Sequence, residues 1–155
     1  MRTIEIKQYE FSELTEQAKT KAVEDLWDIN VNHDWYDFVY YDAKEIGCEI
    51  SGFDLGRAQS IEFELLSDQN EVAHEILTTH GETTNTHKLA AKFKEEFVVV
   101  TDENLEQLEE KFTKDLAYEY WLILRDNYEY YTSEESIIET IECNEYWFTE
   151  GGVPC

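Results

Sequence analysis

The chain has 155 residues, near the usual size of one domain, with 36 acidic against 12 basic side chains and a net charge of −24. An apolar fraction of 42%, with 14% aromatic, excludes a disordered acidic tail, which lacks the apolar surface that offsets ordering entropy. The charge excludes direct nucleic-acid binding, where Lys and Arg must neutralise phosphate, and it exceeds the magnitude of about 2–8 that solubility asks for.

Alternation of Ile4 and Ile6 with Thr3, Glu5, Lys7 and Tyr9 predicts an opening strand. A helix is expected from Ser12, since Leu14, Ala18, Ala22, Leu26 and Ile29 form one stripe. Residues 30–33 break it. Asp34 then suits the N-cap of a second helix, in which Trp35, Phe38, Val39, Ala43 and Ile46 share a face and Gly47 ends the run.

Cys48–Leu55 and Gln59–Leu66, joined around Gly56-Arg57, predict a hairpin, and Ile61, Phe63 and Leu65 give its clearest half-buried strand. Asp68 with Glu71 starts a helix to about Thr78, and a loop over residues 81–85 precedes another from Thr86 to about Phe97. Asp102 opens the longest helix, which carries Leu105, Leu108, Phe112, Leu116 and Leu124 and ends near Tyr130. Thr132 and Glu135 suggest a capping box for a last short helix with Ile137, Ile138 and Ile141, and Tyr146–Thr149 a closing strand. The expectation is one α+β domain over residues 1–155, a small antiparallel sheet of three to four strands with several helices packed on it.

Nothing in the sequence points to catalysis. His80, Glu82 and His87 form the nearest approach to a metal set, but zinc sites usually carry a Cys or His pair two to five residues apart. Glu62 and Glu64 share a strand face, which a solvent-facing strand explains as well as a cation does. Glu5 and Lys7 lack the acidic partner that a metal-dependent nuclease needs. No glycine-flanked nucleophile, phosphate loop or calcium loop is present. No catalytic residue, metal or cofactor is therefore expected. Three cysteines, Cys48, Cys143 and Cys155, are odd in number and unpaired in spacing, which suits a reducing compartment. With no leader and no long apolar stretch, cytoplasm is the expected address, without membrane contact.

The charge is uneven. Residues 101–155 hold fifteen acidic and three basic side chains. Glu103, Glu106 and Glu110 fall in one helical row and Glu135, Glu139 and Glu142 in another, with about 5–6 Å between neighbours. Salt adaptation explains this poorly, because it favours Asp and fewer bulky residues, whereas Glu outnumbers Asp by 26 to 10 beside ten Tyr and four Trp. Rows of carboxylates imitate the charge of a nucleic-acid strand, so a basic protein that handles nucleic acid is the expected partner. Tyr118, Trp121, Tyr128, Tyr130 and Tyr131 are too many for one buried stripe, and Tyr128 and Tyr131 are candidate anchors at the partner face.

The opening run Thr3–Leu14 with Ala18-Lys19 and Lys21-Ala22, the segment Asp42–Gly47 with Gly52-Phe53-Asp54, and the ending Ser136–Phe148 resemble a group of small acidic proteins of bacteriophages and related mobile elements. The resemblance implies a phage origin and no catalytic residues. By class, it suggests an inhibitor of a host defence nuclease of restriction or CRISPR type, acting as a DNA mimic. A phage scaffold or regulatory protein, a small metal-dependent hydrolase and a homo-oligomer all stay open on sequence alone.

Overall fold

In the computed structural model, residues 7–155 are described, and local caps decide where the helices start. The first strand, β1, covers Tyr9–Glu10, while the earlier part of the expected strand, with Glu5, lies outside the described residues. Phe11–Glu13 then form a 3-10 turn, tied by the Glu10 N–H donating to Glu13 Oε1 at 2.8 Å. Helix α1, Glu16–Asp25, begins later than expected because Thr15, not Ser12, caps it by accepting from the Ala18 N–H at 3.2 Å.

Helix α2, Asp37–Glu45, has Tyr36 rather than Asp34 at its N-cap position. Phe38 also departs from expectation, being 53% exposed while Val39, Ala43 and Ile46 are buried. Val39 and Ala43 stand four residues apart on one face, and Phe38 is turned about 100° from Val39. Strands β2, Cys48–Asp54, and β3, Ser60–Leu65, form the expected antiparallel hairpin with an irregularity between Ile50 and Gly52.

Helix α3, Gln69–Thr79, is capped as the sequence suggests, with Asp68 Oδ1 accepting from the Glu71 N–H at 2.9 Å. Thr84 caps α4, Asn85–Val99. Helix α5 runs over Asp102–Tyr131, and α6 over Glu134–Cys143. The α6 cap is Ser133, whose Oγ accepts from the Ser136 N–H, one residue past the expected Thr132. Thr132 instead donates back to the Tyr128 carbonyl at 2.8 Å and closes α5. Strand β4, Trp147–Phe148, follows.

The described residues thus form an α+β fold, but the expected sheet of three to four strands is replaced by two sheets of two strands each, β1–β4 and β2–β3. Each sheet belongs to a different one of the two compact units into which the chain divides. A short terminal ribbon with Tyr9 opposite Phe148 needs only two residues per strand, and the hairpin completes its own ladder locally.

The first unit comprises Met1–Trp35 and Asn127–Cys155. Its core joins Phe11, Leu14, Ala18 and Ala22 to Ile137, Ile141 and Phe148. Small alanines on α1 let α6 approach closely. Gly152 extends this economy of space: its φ is +86°, and a β-carbon there would overlap the Ala18 carbonyl oxygen.

The second unit comprises Tyr36–Asp126. Phe93 of α4 stacks on Phe112 of α5 with ring centres 4.5 Å apart. Phe63 of the hairpin meets Tyr120 at 5.6 Å, and Trp121 Nε1 donates to the Asp54 carbonyl at 2.9 Å, fixing the hairpin to α5.

Candidate functional site

Helical periodicity exposes both expected carboxylate rows. Glu103, Glu106 and Glu110 lie on α5 in the second unit, and Glu135, Glu139 and Glu142 on α6 in the first, all six exposed. The buried residues of α6, Ser136, Ile137 and Ile141, occupy the opposite side of the helix. None of the six joins an ion pair among the described residues, where pairs form at Glu16, Asp25, Asp42, Glu96, Asp115 and Asp126 among others. After Arg125 the chain contains no Lys or Arg, so the α6 row has no cation within its own segment. The α5 row is followed by Lys111, which is held 2.7 Å from Asp115.

Tyr128 and Tyr131 are half-buried, and both pack against Trp35, at 5.7 and 6.1 Å between ring centres. Their rings contribute to packing in the first unit. Tyr130, Tyr146 and Trp147 are the large exposed aromatics of that unit's C-terminal segment. Trp147 owes its exposure to strand alternation: its neighbour Phe148 points inward and is fully buried.

The hydrophilic hub of the first unit is Asn30. Its Nδ2 donates to the Tyr131 carbonyl at 3.0 Å and to Ser136 Oγ at 3.1 Å, while its Oδ1 accepts from Thr140 Oγ1 at 2.6 Å. One amide thus satisfies an end carbonyl of α5 and two hydroxyls of α6.

The metal candidates stay apart. Among the described residues no group of three His, Cys, Asp or Glu side chains is placed to hold a metal ion. Glu82 is exposed in the turn after α3, and Glu62 accepts from Ser51 Oγ at 3.2 Å on the open side of the hairpin. Of the cysteines, Cys48 is buried, which pushes its thiol up to about 12 and keeps it unreactive.

His80 has a role that its sequence position did not suggest. It is the C-cap residue of α3, and its side chain is only 10% exposed. Nδ1 lies 2.6 Å from Thr86 Oγ1 at the start of α4. Nε2 lies 3.3 Å from Asp42 Oδ2 on α2, within reach of charge attraction yet without an aligned hydrogen bond. Tyr120 of α5 donates to the same Asp42 oxygen at 2.8 Å.

The His80 ring, together with the Tyr120 hydroxyl, holds Asp42 below the usual carboxylate range against the upward push of partial burial. Burial and the nearby carboxylate raise Tyr120 far above its ordinary value, so it remains a donor. The order carboxylate, imidazole, hydroxyl is that of an activated nucleophile. Thr86, however, is only 4% exposed, which withholds its oxygen from an acyl carbon. Asp42, His80, Thr86 and Tyr120 are too widely spaced in sequence for any local motif to announce them, and only the histidine beside Gly81 at a helix end hinted at a cap.

None of the helices among the described residues is long and apolar enough to cross a membrane. Set against protein-family models, characterised proteins and solved structures, the chain matches none of them.

Proposed function

We propose that this acidic protein, phage-borne as its resemblance suggests, binds a basic nucleic-acid-handling protein of a host cell. It acts by occlusion, in the manner of a DNA mimic and without catalysis. The observation that supports this reading is the α6 row: three exposed carboxylates on a segment that carries no cation after Arg125. Such a surface draws a basic groove by the same long-range attraction that nucleic acid uses, giving fast, salt-sensitive association. The α5 row adds a second set of exposed carboxylates with the same pitch. Tyr128 and Tyr131 would act by holding the end of α5 in place through Trp35, with their remaining exposed edges at the contact.

The test is capture from bacterial lysate at low salt by the wild-type chain and by two reversal variants, E135K/E139K/E142K and E103K/E106K/E110K. The expected partner is a basic nucleic-acid-binding protein that is released by salt, displaced by duplex DNA and lost with the α6 variant. A partner retained equally by both variants, or indifferent to DNA, would refute the mimicry.

A further inference from the structure

The bonding around His80 fixes which ring nitrogen carries the proton. Thr84 Oγ1 donates its one proton to the Gly81 carbonyl at 2.8 Å, so Thr86 Oγ1 must be the donor across the 3.2 Å to Thr84 Oγ1. With its own proton spent, Thr86 can only accept from the ring, and His80 Nδ1, 2.6 Å away, donates to it. The neutral ring then turns an unprotonated Nε2 towards Asp42 Oδ2 at 3.3 Å. That side chain is only 10% exposed, and its Nε2 has no hydrogen-bond partner.

An acceptor nitrogen held against a carboxylate oxygen is stabilised by something positive between them, and the spacing selects what that is. A water donating to both would need acceptors about 4.4 Å apart, given hydrogen bonds of about 2.8 Å and its own bond angle. A guanidinium or ammonium is no smaller than water, and Nε2 is buried too closely to admit it. A tetrahedral metal ion with ligands at about 2.0 Å sets neighbouring ligand atoms about 3.3 Å apart. The observed 3.3 Å is therefore the separation of two atoms that share such an ion. The poor hydrogen-bond alignment has the same explanation, because a shared ion lies off the line that joins its ligands.

We propose that His80 Nε2 and Asp42 Oδ2 are the two protein ligands of a zinc-type divalent ion, completed by water from the adjoining groove. The groove, about 320 Å³, is lined by Thr84, Asn85, Glu119 and Ile123 beside the two ligands. No third His, Cys, Asp or Glu among the described residues is placed on the same ion, so two of the four tetrahedral positions are left to water.

Both ligands have the outer contacts that metal-bound side chains use. Thr86 fixes the tautomer and the orientation of the imidazole, and Tyr120 donates to Asp42 Oδ2 at 2.8 Å while leaving that oxygen a second lone pair. An imidazole beside a carboxylate favours zinc or cobalt over magnesium and calcium, which take oxygen ligands. In the sequence His80 stands nearest to Glu82 and His87, but its partner in space is Asp42 on α2.

The test is a zinc titration of the full-length, tag-free, nitrogen-15-labelled chain at about pH 7.5, above the ordinary histidine range. Long-range proton–nitrogen spectra report each ring separately. The His80 Nε2 signal should leave the position of a bare lone pair while Nδ1 keeps its proton, and magnesium at the same concentrations should leave both in place. Asp42→Asn keeps an acceptor for Tyr120 but removes the anionic ligand. It should weaken zinc at His80 about tenfold or more, with the responses of His74 and His87 unchanged. A His80 Nε2 signal that ignores zinc, or that responds equally in Asp42→Asn, overturns the site. If Asp42→Asn does not fold, cobalt decides in the wild-type chain. Its paramagnetic broadening should reach the His80 ring and the Asp42 amide at lower concentration than the rings of His33, His74 and His87, and the opposite order overturns the site.

Discussion

Each unit gathers its helices on one polar hub, and the two hubs differ in kind. In Met1–Trp35 with Asn127–Cys155 the hub is Asn30, an amide whose donors and acceptor are fixed at any ordinary pH. In Tyr36–Asp126 it is Asp42, a carboxylate that takes the Tyr120 hydroxyl and faces the His80 ring. The surfaces contrast in the opposite sense. The second unit pairs Lys92 with Glu96 and Lys111 with Asp115, whereas residues 127–155 of the first contain no Lys or Arg. The contrast is one of placement: a carboxylate with a lowered pKa ties the helices of one unit, while the segment without Lys or Arg belongs to the other.

The sharpest break in the comparison is expected at Gly152. Alanine there would combine a positive φ with overlap on the Ala18 backbone, which cannot swing away as a side chain can. We expect Gly152→Ala to cost about 3 kcal/mol, with the loss read as a lower urea midpoint and faster exchange in α6.

Next in size is Asn30→Ala. It would leave the Tyr131 carbonyl and the Thr140 hydroxyl without their partner, at a cost of about 2 kcal/mol. The loss should be the same at pH 5 and pH 8, since no titrating group is removed. A cost that varies with pH would undo the distinction between the hubs.

Tyr120→Phe makes the complementary test and should cost about 1 kcal/mol, because it removes one donor to a carboxylate while keeping the fully buried ring. Its effect should depend on pH with a definite sign. Asp42 is held below its unfolded value, so its contribution is complete above about pH 4 and fades as pH falls through the lowered folded value. Acid unfolding followed by tryptophan fluorescence should therefore begin at higher pH in Tyr120→Phe than in wild type. In Asp42→Asn this component of the acid transition should vanish.

The same contrast explains what could be read in advance. Local signals held: Ile61, Phe63 and Leu65 alternate in the sequence and form a strand, and Asp68 caps the helix it precedes. Where a choice lay between neighbours, contacts that the pattern does not rank decided it. Thr132 was drawn back to the Tyr128 carbonyl, which left Ser133 to cap α6. Phe38 and Val39 compete for one helical face, and the smaller residue was buried. Pairing of β1 with β4 joins Tyr9 to Phe148 across nearly the whole chain, so no window of sequence contains it. The carboxylate rows were legible because exposure follows from helical pitch alone. The Asp42–His80–Thr86–Tyr120 hub was not, because it depends on four helices converging in the second unit.

The smallest predicted effect isolates the surface half of the comparison. Glu142 stands in the last turn of α6, where the partial negative charge of the helix end disfavours it, and it lies three residues from Glu139. Lysine at this position would reverse both terms, so Glu142→Lys should stabilise the chain by about 0.5 kcal/mol at low salt. Because Glu142 is exposed, the gain should shrink as ionic strength approaches 1 M, where the screening length falls to about 3 Å. Glu135→Lys should go the other way. That residue sits in the first turn of α6, where a carboxylate is favoured, and losing that site outweighs relief of its repulsion with Glu139. Opposite signs at the two ends of one helix would show that α6 keeps Glu142 at a cost to its own stability, as expected of a residue retained for what it meets rather than for what it holds together.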